Sequence, residues 1–209
     1  GFTMRVPVGV VAAISPFNFP LNLVCHKVGP ALAAGNAVVL KPAGDTPLLG
    51  LKLEEILLEA GLPEEAIQCV TGPGSAIGDV LTGDPRVRKI TFTGSMEIGV
   101  RICRNAGIKK VTMELGSNSP LIVMPDADME QATDALIGAG YGSAGERCMA
   151  VSVAVPVGQG TADELVARLK PRVEALKIGP SLDPDSEMGP LVSAEHLAKV
   201  RGYVDLGIG

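Results

Sequence analysis

The 209-residue sequence has no tryptophan, and aromatic residues make up only 3% of it. It contains two histidines and four cysteines, and the cysteines lie far apart without a CxxC pair. This scarcity excludes the patterns typical of a disulfide framework or a zinc site. We therefore predict no bound metal and a reducing, cytoplasmic location.

Acidic residues outnumber basic ones, and the net charge of −5 argues against a nucleic-acid partner. No apolar run reaches the roughly 20 residues that a membrane span needs, and the first residues do not resemble a signal peptide. The hydrophobic fraction of 46% is typical of a globular protein with a sizeable core. Because both ends look like arbitrary cut points, we expect the chain to be part of a longer protein.

Short apolar runs rich in valine alternate with helical patterns along the chain. This alternation predicts βαβ units, and hence an α/β fold with a Rossmann-like parallel sheet and flanking helices. Motifs place a boundary near Leu115, so that 1–115 forms a nucleotide-binding region and 116–209 forms part of a second α/β domain, the catalytic one. The predicted strands are 8–14, 37–41, 67–70, 89–92, 111–115, 121–124 and 151–157. The predicted helices are 21–34, 47–60, 74–82, 95–106, 128–139, 161–176 and 193–206, the last one capped by Gly207.

Unusual residues fall where the predicted strands end. Asn18 follows the first strand, Lys41 ends the second, and the turn at 93–95 (Thr-Gly-Ser) follows the fourth. Parallel sheets bind ligands at the carboxyl ends of their strands, and a glycine turn before a helix suits a pyrophosphate. The chain lacks the GxGxxG and Walker patterns, and each residue alone could be structural. Together they favour a nucleotide site.

Cys148 follows a run of glycine, alanine and serine, where backbone can approach a ligand closely. Arg147 precedes it, and a neighbouring positive charge favours the thiolate, which is the nucleophilic form. A lone cysteine is also commonly a small buried hydrophobe, so the two interpretations stay open on these residues alone.

Five strings together resemble the NAD(P)-dependent aldehyde dehydrogenase superfamily, in its order and at its spacing. The resemblance covers essentially the whole chain and corresponds to the central part of that family's enzymes. It implies a longer intact enzyme that acts as a homodimer or homotetramer. The strings are PFNFP (16–20), GPALAAGNAVVLKPA (29–43), FTGSMEIG (92–99), MELGSNSP (113–120) and GERCM (145–149).

The resemblance implies a role for each matching residue. Cys148 would attack an aldehyde, Asn18 would stabilise the oxyanion together with the Cys148 backbone N–H, and Glu114 would activate water. Lys41 would hold the adenosine ribose of NAD or NADP. The residues expected to bind the cofactor are Ile14, Pro16, Phe17, Lys41, Gly44, Gly74, Gly78, Phe92, Thr93, Gly94, Ser95 and Leu115.

Two departures bear on the cofactor and the substrate. Gly44 replaces a glutamate that opposes a 2′-phosphate in many members, so we expect NADP to be tolerated, although Asp45 could partly restore the repulsion. The first part, through residue 120, resembles lactaldehyde and phosphorylated-aldehyde dehydrogenases. The part from residue 145 resembles methylmalonate-semialdehyde dehydrogenases, which are usually CoA-acylating. A natural intermediate and a recombined chain would both explain the mixture.

Three alternatives therefore stay open. Arg147 could bind a substrate carboxylate, or it could pair with an acid of the protein or tune the reactivity of Cys148. The reaction could be CoA-acylating rather than hydrolytic. The 209 residues, as isolated, could bind nucleotide without turnover. The remaining cysteines, Cys25, Cys69 and Cys103, match no motif and are predicted to be packing residues.

Overall fold

The computed structural model describes residues 1–208. The chain divides into two compact units, unit 1 (Gly1–Gly116) and unit 2 (Ser117–Gly209), and unit 2 is described here through residue 208. The division falls one residue after the boundary predicted from the motifs. Unit 1 is an α/β unit with helices on both faces of a parallel sheet, which confirms the predicted fold class.

The sheet of unit 1 has five parallel strands in the order β3-β2-β1-β4-β5. Its central strand, β1, pairs with β2 and β4, so that Ile14 lies opposite both Lys41 and Phe92. Where β4 pairs with β5, Thr93 lies opposite Glu114. The carboxyl ends of these strands therefore meet at one edge. The strands are β1 (Val10–Ile14), β2 (Ala37–Lys41), β3 (Ile67–Cys69), β4 (Val87–Thr93) and β5 (Lys110–Glu114).

Four helices cover the two faces, since successive residues of each buried strand point to opposite sides. Ala13, Val38 and Leu40 pack with side chains of α1 and α2 on one face. Ala12 and Ile90 pack with side chains of α3 and α4 on the other. The helices are α1 (Asn22–Ala33), α2 (Pro47–Glu59), α3 (Gly74–Gly83) and α4 (Met96–Ala106).

Some element ends differ from the predictions. The first strand begins at Val10 rather than at residue 8, because Gly9 has a φ of 112° that is incompatible with a strand. The fourth begins at Val87, two residues early, since Val87 is buried although charged residues follow it. Gly35, with a φ of 76°, follows the end of α1 as expected.

Unit 2 contains two parallel strands and three α-helices. Val123 packs there with Met129, Leu136 and Leu165. The predicted cap at Gly207 is wrong, because the last helix continues through it to Ile208. The elements are β6 (Ser119–Val123), β7 (Val151–Pro156), α5 (Met129–Tyr141), α6 (Gln159–Glu174) and α7 (Ala194–Ile208).

Within residues 1–208, no helix has the length and apolar character that crossing a membrane requires.

Candidate active site

A cleft of about 440 Å³ opens at the carboxyl edge of the unit 1 sheet, between α3 and α4. All the residues predicted to bind a cofactor line it except Gly44 and Leu115. Gly44 is exposed beside the cleft residue Ala43, whereas Leu115 packs over α4. The predicted residues in the cleft wall are Ile14, Pro16, Phe17, Lys41, Gly74, Gly78, Phe92, Thr93, Gly94 and Ser95.

Three glycines shape this cleft in two different ways. A Cβ at Gly94 would overlap the Phe92 ring, so the turn after β4 accepts only glycine without movement of that ring. A Cβ at Gly74 or Gly78 would meet no other atom within 4 Å. The two α3 glycines therefore border open space, where the backbone of the helix can approach a ligand closely.

The amino terminus of α4 faces the cleft and is capped by Ser95, whose Oγ accepts a hydrogen bond from the Ile98 N–H at 3.4 Å. The Gly94 N–H donates to the Glu114 carbonyl oxygen at 3.1 Å, which fastens the turn to β5. The positive end of a helix dipole and its unpaired N–H groups suit phosphate oxygens.

Two buried polar groups in the cleft wall have few protein partners. Lys41 donates from Nζ to the Pro42 carbonyl oxygen at 3.1 Å, and burial lowers the pKa of its ammonium below 10.5. The Ser15 hydroxyl is buried, and no atom of residues 1–208 hydrogen-bonds to it. Because buried polar groups are normally paired, a ligand that supplies hydroxyl or phosphate oxygens fits this cleft.

The same wall contains an ion pair that was not predicted from the sequence. Arg101 of α4 donates to Asp79 of α3 through both Nε, at 3.1 Å from Oδ1, and Nη2, at 2.5 Å from Oδ2. This pairing raises the pKa of the Arg101 guanidinium. No spacing in the sequence signals it, since the partners belong to separate helices.

A buried lysine near the same strand ends was also missed. Lys27 of α1 is only 5% exposed, and its Nζ donates to Thr93 Oγ1 at 2.6 Å and to Thr91 Oγ1 at 3.5 Å. Burial lowers the pKa of this ammonium, and the nearby charge of Glu114 acts in the opposite direction. The available signal was that Lys27 is the only lysine, arginine, aspartate or glutamate in the predicted helix at 21–34.

Asn18 and Glu114 are two of the predicted catalytic residues, and they lie in the turn after β1 and at the end of β5. The Asn18 Oδ1 accepts a hydrogen bond from the Phe19 N–H at 3.1 Å within the proline-bounded turn. Glu114 is the last residue of β5, and it is exposed.

Cys148, the predicted nucleophile, lies exposed on a loop of unit 2. Its carbonyl oxygen accepts a hydrogen bond from Ser117 Oγ at 2.7 Å. The neighbouring Glu146 carboxylate accepts from the Val192 N–H, with its two oxygens at 3.2 and 3.3 Å. Both ends of the loop are thus held to other segments of unit 2, and the cysteine side chain stays accessible.

The approach to this loop has an unusual backbone. Ser143, Ala144 and Gly145 have φ values of 55°, 53° and 74°, in the left-handed region that only glycine adopts readily. Within residues 1–208, the Arg147 guanidinium makes no ion pair with a carboxylate.

Two other cysteines are not the packing residues that we predicted. Cys25 and Cys103 are exposed, because each lies on the outward side of a helix. Cys69 packs at the edge of a core cluster, as expected. No group of three or more His, Cys, Asp and Glu side chains within residues 1–208 could hold a metal ion.

Comparison with known proteins identifies the family, since the model of the aldehyde dehydrogenase family matches residues 1–209. The chain belongs to this family. The predicted resemblance to the aldehyde dehydrogenases is therefore confirmed. The role of each site residue stays a prediction.

Relatives within the family are longer than this chain. The 3-sulfolactaldehyde dehydrogenase of Priestia aryabhattai is 46% identical over 203 residues, which cover 97% of this chain and 42% of the relative. The chain thus spans less than half the length of this aldehyde dehydrogenase.

Two similar aldehyde dehydrogenases have been solved with a cofactor. A Sinorhizobium meliloti protein, named as a methylmalonate-semialdehyde dehydrogenase and complexed with NAD, has a TM-score of 0.94 and 44% identity, over 98% of this chain and 42% of the other. A glyceraldehyde-3-phosphate dehydrogenase of Methanocaldococcus jannaschii, complexed with NADP, has a TM-score of 0.92 and 38% identity, over 97% of this chain and 45% of the other.

Proposed function

We propose that this chain is the cofactor-binding and nucleophile-bearing part of an enzyme that oxidises an aldehyde to a carboxylic acid with NAD or NADP. The cleft carries the proposal, because the predicted cofactor residues gather there around a helix amino terminus and an unpaired buried hydroxyl. Similar family members bind NAD or NADP, which supports the same cofactor class here.

The cofactor residues divide by the chemistry that each can offer. The turn at Gly94 and Ser95 would hold the pyrophosphate, Lys41 would hold the adenosine ribose, and Ser15 would pair with a cofactor oxygen. The bound nicotinamide supplies the hydride acceptor, which no side chain can replace. Gly44 is exposed, and a side chain there would meet no atom within 4 Å, which supports the prediction that NADP is tolerated.

In the first chemical step the Cys148 thiolate adds to the aldehyde carbon, and the carbonyl oxygen becomes an oxyanion on a thiohemiacetal. The Asn18 side-chain nitrogen and the Cys148 N–H would donate to this oxyanion. One such donor typically contributes a factor of about 10²–10³ in rate. After the hydride has left, the carbon remains on Cys148 as a thioester.

Glu114 would then accept a proton from water, and the resulting hydroxide attacks the thioester. The products are the carboxylic acid and the free Cys148 thiolate. The buried ammonium of Lys27 lies near enough to interact with the Glu114 charge, which opposes the effect of burial on the pKa of Lys27.

The test is formation of reduced nicotinamide from an aldehyde by the purified protein. Cys148→Ala should abolish turnover while leaving nucleotide binding intact, because Cys148 is not among the residues that line the cleft. Cys25→Ala, which removes another exposed cysteine, serves as the control and should retain the wild-type rate. Turnover by Cys148→Ala would overturn the assignment.

A CoA-acylating reaction is the second candidate, favoured by the similarity to a protein named as a methylmalonate-semialdehyde dehydrogenase. The presence of Glu114 favours hydrolysis instead. Product analysis separates the two, since an acylating enzyme gives acyl-CoA with CoA present and little free acid without it.

A third candidate is a chain that binds nucleotide but does not turn over as isolated. It is favoured by the chain's span, 42% of a related dehydrogenase. Saturable NAD binding without product would support this candidate, whereas turnover by the 209 residues would exclude it.

We propose a short anionic aldehyde as the substrate class, with Arg147 as the group that binds its charge. A guanidinium can donate two parallel hydrogen bonds to a carboxylate or a related anion. Within residues 1–208, no carboxylate forms an ion pair with Arg147. Two relatives are named after anionic aldehydes, which are sulfolactaldehyde and methylmalonate semialdehyde.

Substitution of Arg147 distinguishes substrate binding from an effect on the nucleophile. Arg147→Leu should raise KM for an acidic semialdehyde far more than for a neutral aldehyde of the same size. Equal losses for both substrates would indicate that Arg147 acts on Cys148 instead.

We further propose that the intact enzyme is a cytoplasmic homodimer or homotetramer. Four unpaired cysteines support a reducing compartment. Ile122 of β6 and Val153 and Val155 of β7 leave apolar surface exposed, which supports assembly. Light scattering of the purified protein would measure the oligomeric state, and a monomer at all concentrations would contradict this part of the proposal.

A further inference from the structure

A serine side chain holds the main chain at the proposed nucleophile. The Ser117 hydroxyl donates to the Cys148 carbonyl oxygen at 2.7 Å, the usual length of such a bond, although 31 positions separate the two residues. Both residues belong to unit 2. Neither lies in a helix or a strand, so this hydrogen bond is not part of a backbone ladder. The Cys148 carbonyl thus receives its proton from a side chain.

A second serine extends this contact into a short chain of hydroxyl groups. Ser119 Oγ lies 2.8 Å from Ser117 Oγ. The single hydroxyl proton of Ser117 goes to Cys148, because a carbonyl oxygen can only accept, and Ser119 is therefore the donor to Ser117. A hydroxyl that accepts one hydrogen bond and donates another has a fixed orientation, and bonds in such a chain strengthen one another.

The pairing of two strands explains why these segments lie side by side. β6 begins at Ser119 and β7 begins at Val151, and these two residues pair in a parallel ladder. Ser117 comes two residues before the first strand, and Cys148 comes three residues before the second. The hydroxyl bond thus continues the pairing beyond the amino ends of the strands. It connects the start of β6 to the nucleophile loop (residues 145–150), which contains no helix or strand.

Resting on the proposed function, we infer that Ser117 is a positioning residue for the Cys148 nucleophile. In the proposed chemistry the Cys148 thiolate attacks the aldehyde while the Cys148 N–H donates to the oxyanion, so one residue supplies both groups. A fixed carbonyl restricts rotation of the main chain at Cys148, and the thiolate and the N–H then keep one arrangement. Rates are sensitive to such positioning, since a displacement of about 1 Å can lower them by a factor of about 10².

A purely structural role for this bond predicts a different result. A hydrogen bond between neutral groups typically changes an equilibrium constant by about fivefold, so its loss should loosen the loop without unfolding unit 2. If the bond only stabilised the fold, its removal would lower the unfolding temperature and leave the rate of each folded molecule unchanged. If it positions Cys148, the rate falls in protein that is fully folded.

The experiment compares the purified protein with Ser117→Ala, Ser117→Thr and Ser152→Ala. Amide hydrogen exchange of the nucleophile loop is measured first. The second measurement is the rate of a single turnover at saturating NAD, with acetaldehyde or succinic semialdehyde, whichever the unmodified protein oxidises faster. The unfolding temperature and the dissociation constant of NAD are measured for each variant.

Ser117→Ala should speed exchange of the loop about fivefold and slow the single turnover about five- to tenfold. Its NAD affinity should be unchanged, because Ser117 does not line the cleft. Ser117→Thr keeps the hydroxyl and should recover most of both losses. Ser152→Ala removes an exposed serine of β7 and should match the unmodified protein in every measurement.

Three results would overturn the positioning role while the proposed function stands. They are unchanged loop exchange in Ser117→Ala, a loosened loop with an unchanged single-turnover rate, and a Ser117→Thr variant that is as slow as Ser117→Ala although it unfolds at the original temperature. Absence of turnover by the unmodified protein would instead overturn the catalytic proposal, and the inference with it.

Discussion

Lys27 and Lys41 are both buried in unit 1, at 5% and 6% exposure. Burial of an ammonium disfavours its charged form, and this lowers the pKa of both groups. Neither lysine has a carboxylate within ion-pair distance in the described residues. Two lysines that oppose folding, both at the edge of the cleft sheet, are explained more readily by function than by stability.

The substitution Lys27→Met tests whether this buried lysine lowers the stability of the fold. Below its folded-state pKa the charged lysine opposes folding, and this opposition declines as the pH rises from that pKa to the ordinary 10.5. The variant lacks the penalty, so at neutral pH it should be as stable as the unmodified protein or up to about 2 kcal/mol more stable. Its advantage should narrow toward alkaline pH, while aldehyde turnover falls.

Urea unfolding at several pH values measures the difference in the free energy of unfolding between Lys27→Met and the unmodified protein. Lys52→Met is the matched control, because Lys52 is exposed and pairs only with Glu55 on the surface of α2. A Lys27→Met protein that is clearly less stable at neutral pH would show that this ammonium contributes to folding.

Cys69 is predicted to be the least reactive cysteine. Burial, with a smaller contribution from the Glu54 charge, raises the pKa of its thiol to about 11. The thiolate fraction at neutral pH is then on the order of one in ten thousand, and only the thiolate reacts. Timed alkylation with iodoacetamide and peptide mapping should show Cys69 labelled well after the exposed Cys25 and Cys103. Labelling of Cys69 at the same rate would contradict this prediction.

At the scale of elements, helix α3 has two glycines in the cleft wall, Gly74 and Gly78. A Cβ at either position would have no atom within 4 Å. Gly78→Leu should fill part of this space and weaken nucleotide binding by about tenfold, because the side chain would occupy the proposed ligand position. The fold should tolerate it, since leucine favours helix over glycine by up to about 1 kcal/mol and the Cβ has room.

Gly29→Leu is the control for this substitution. Gly29 is an exposed glycine of α1, also with no atom within 4 Å of a notional Cβ, and it lies outside the cleft. Both variants should unfold at or above the original temperature, and only Gly78→Leu should lose NAD binding in calorimetry. Equal binding by the two variants would place the nucleotide elsewhere.

The elements that were predictable are those with a local signal. Alternating valine-rich runs and helical patterns gave the order of strands and helices in unit 1, and Gly35 marked the end of α1. Val87 was not predictable as a strand residue, because the charged Arg88 separates it from the predicted strand and only the tertiary structure shows that Val87 is buried. The Asp79–Arg101 pair and the Lys27–Thr93 hydrogen bond were not predictable either, since each joins residues that only the tertiary structure brings together.

At the scale of the whole molecule, the strands of the two units differ in their number of paired neighbours and in their burial. β1 has a hydrogen-bonded strand on each side and buried residues on both faces. β6 pairs only with β7 among the described strands, and Ile122 is 64% exposed. Native-state hydrogen exchange should therefore find the amides of β1 and β4 the slowest, with those of β6 and β7 faster by about tenfold or more.

This exchange experiment has an internal reference. The amides of β3, at the edge of the five-stranded sheet, should exchange at intermediate rates because only one neighbour covers them. Equal protection of β1 and β7 would show that both units open in a single cooperative step.

The left-handed run at Ser143, Ala144 and Gly145 also limits how this part of the gene can vary. A side chain branched at Cβ is poorly tolerated at positive φ, so valine, isoleucine and threonine should be depleted at positions 143 and 144 in a saturation library selected for activity. Glycine and asparagine should be enriched there, although neither position contributes a functional group to the proposed chemistry. The tolerance profile of these two codons would thus report the backbone shape that leads into the nucleophile loop.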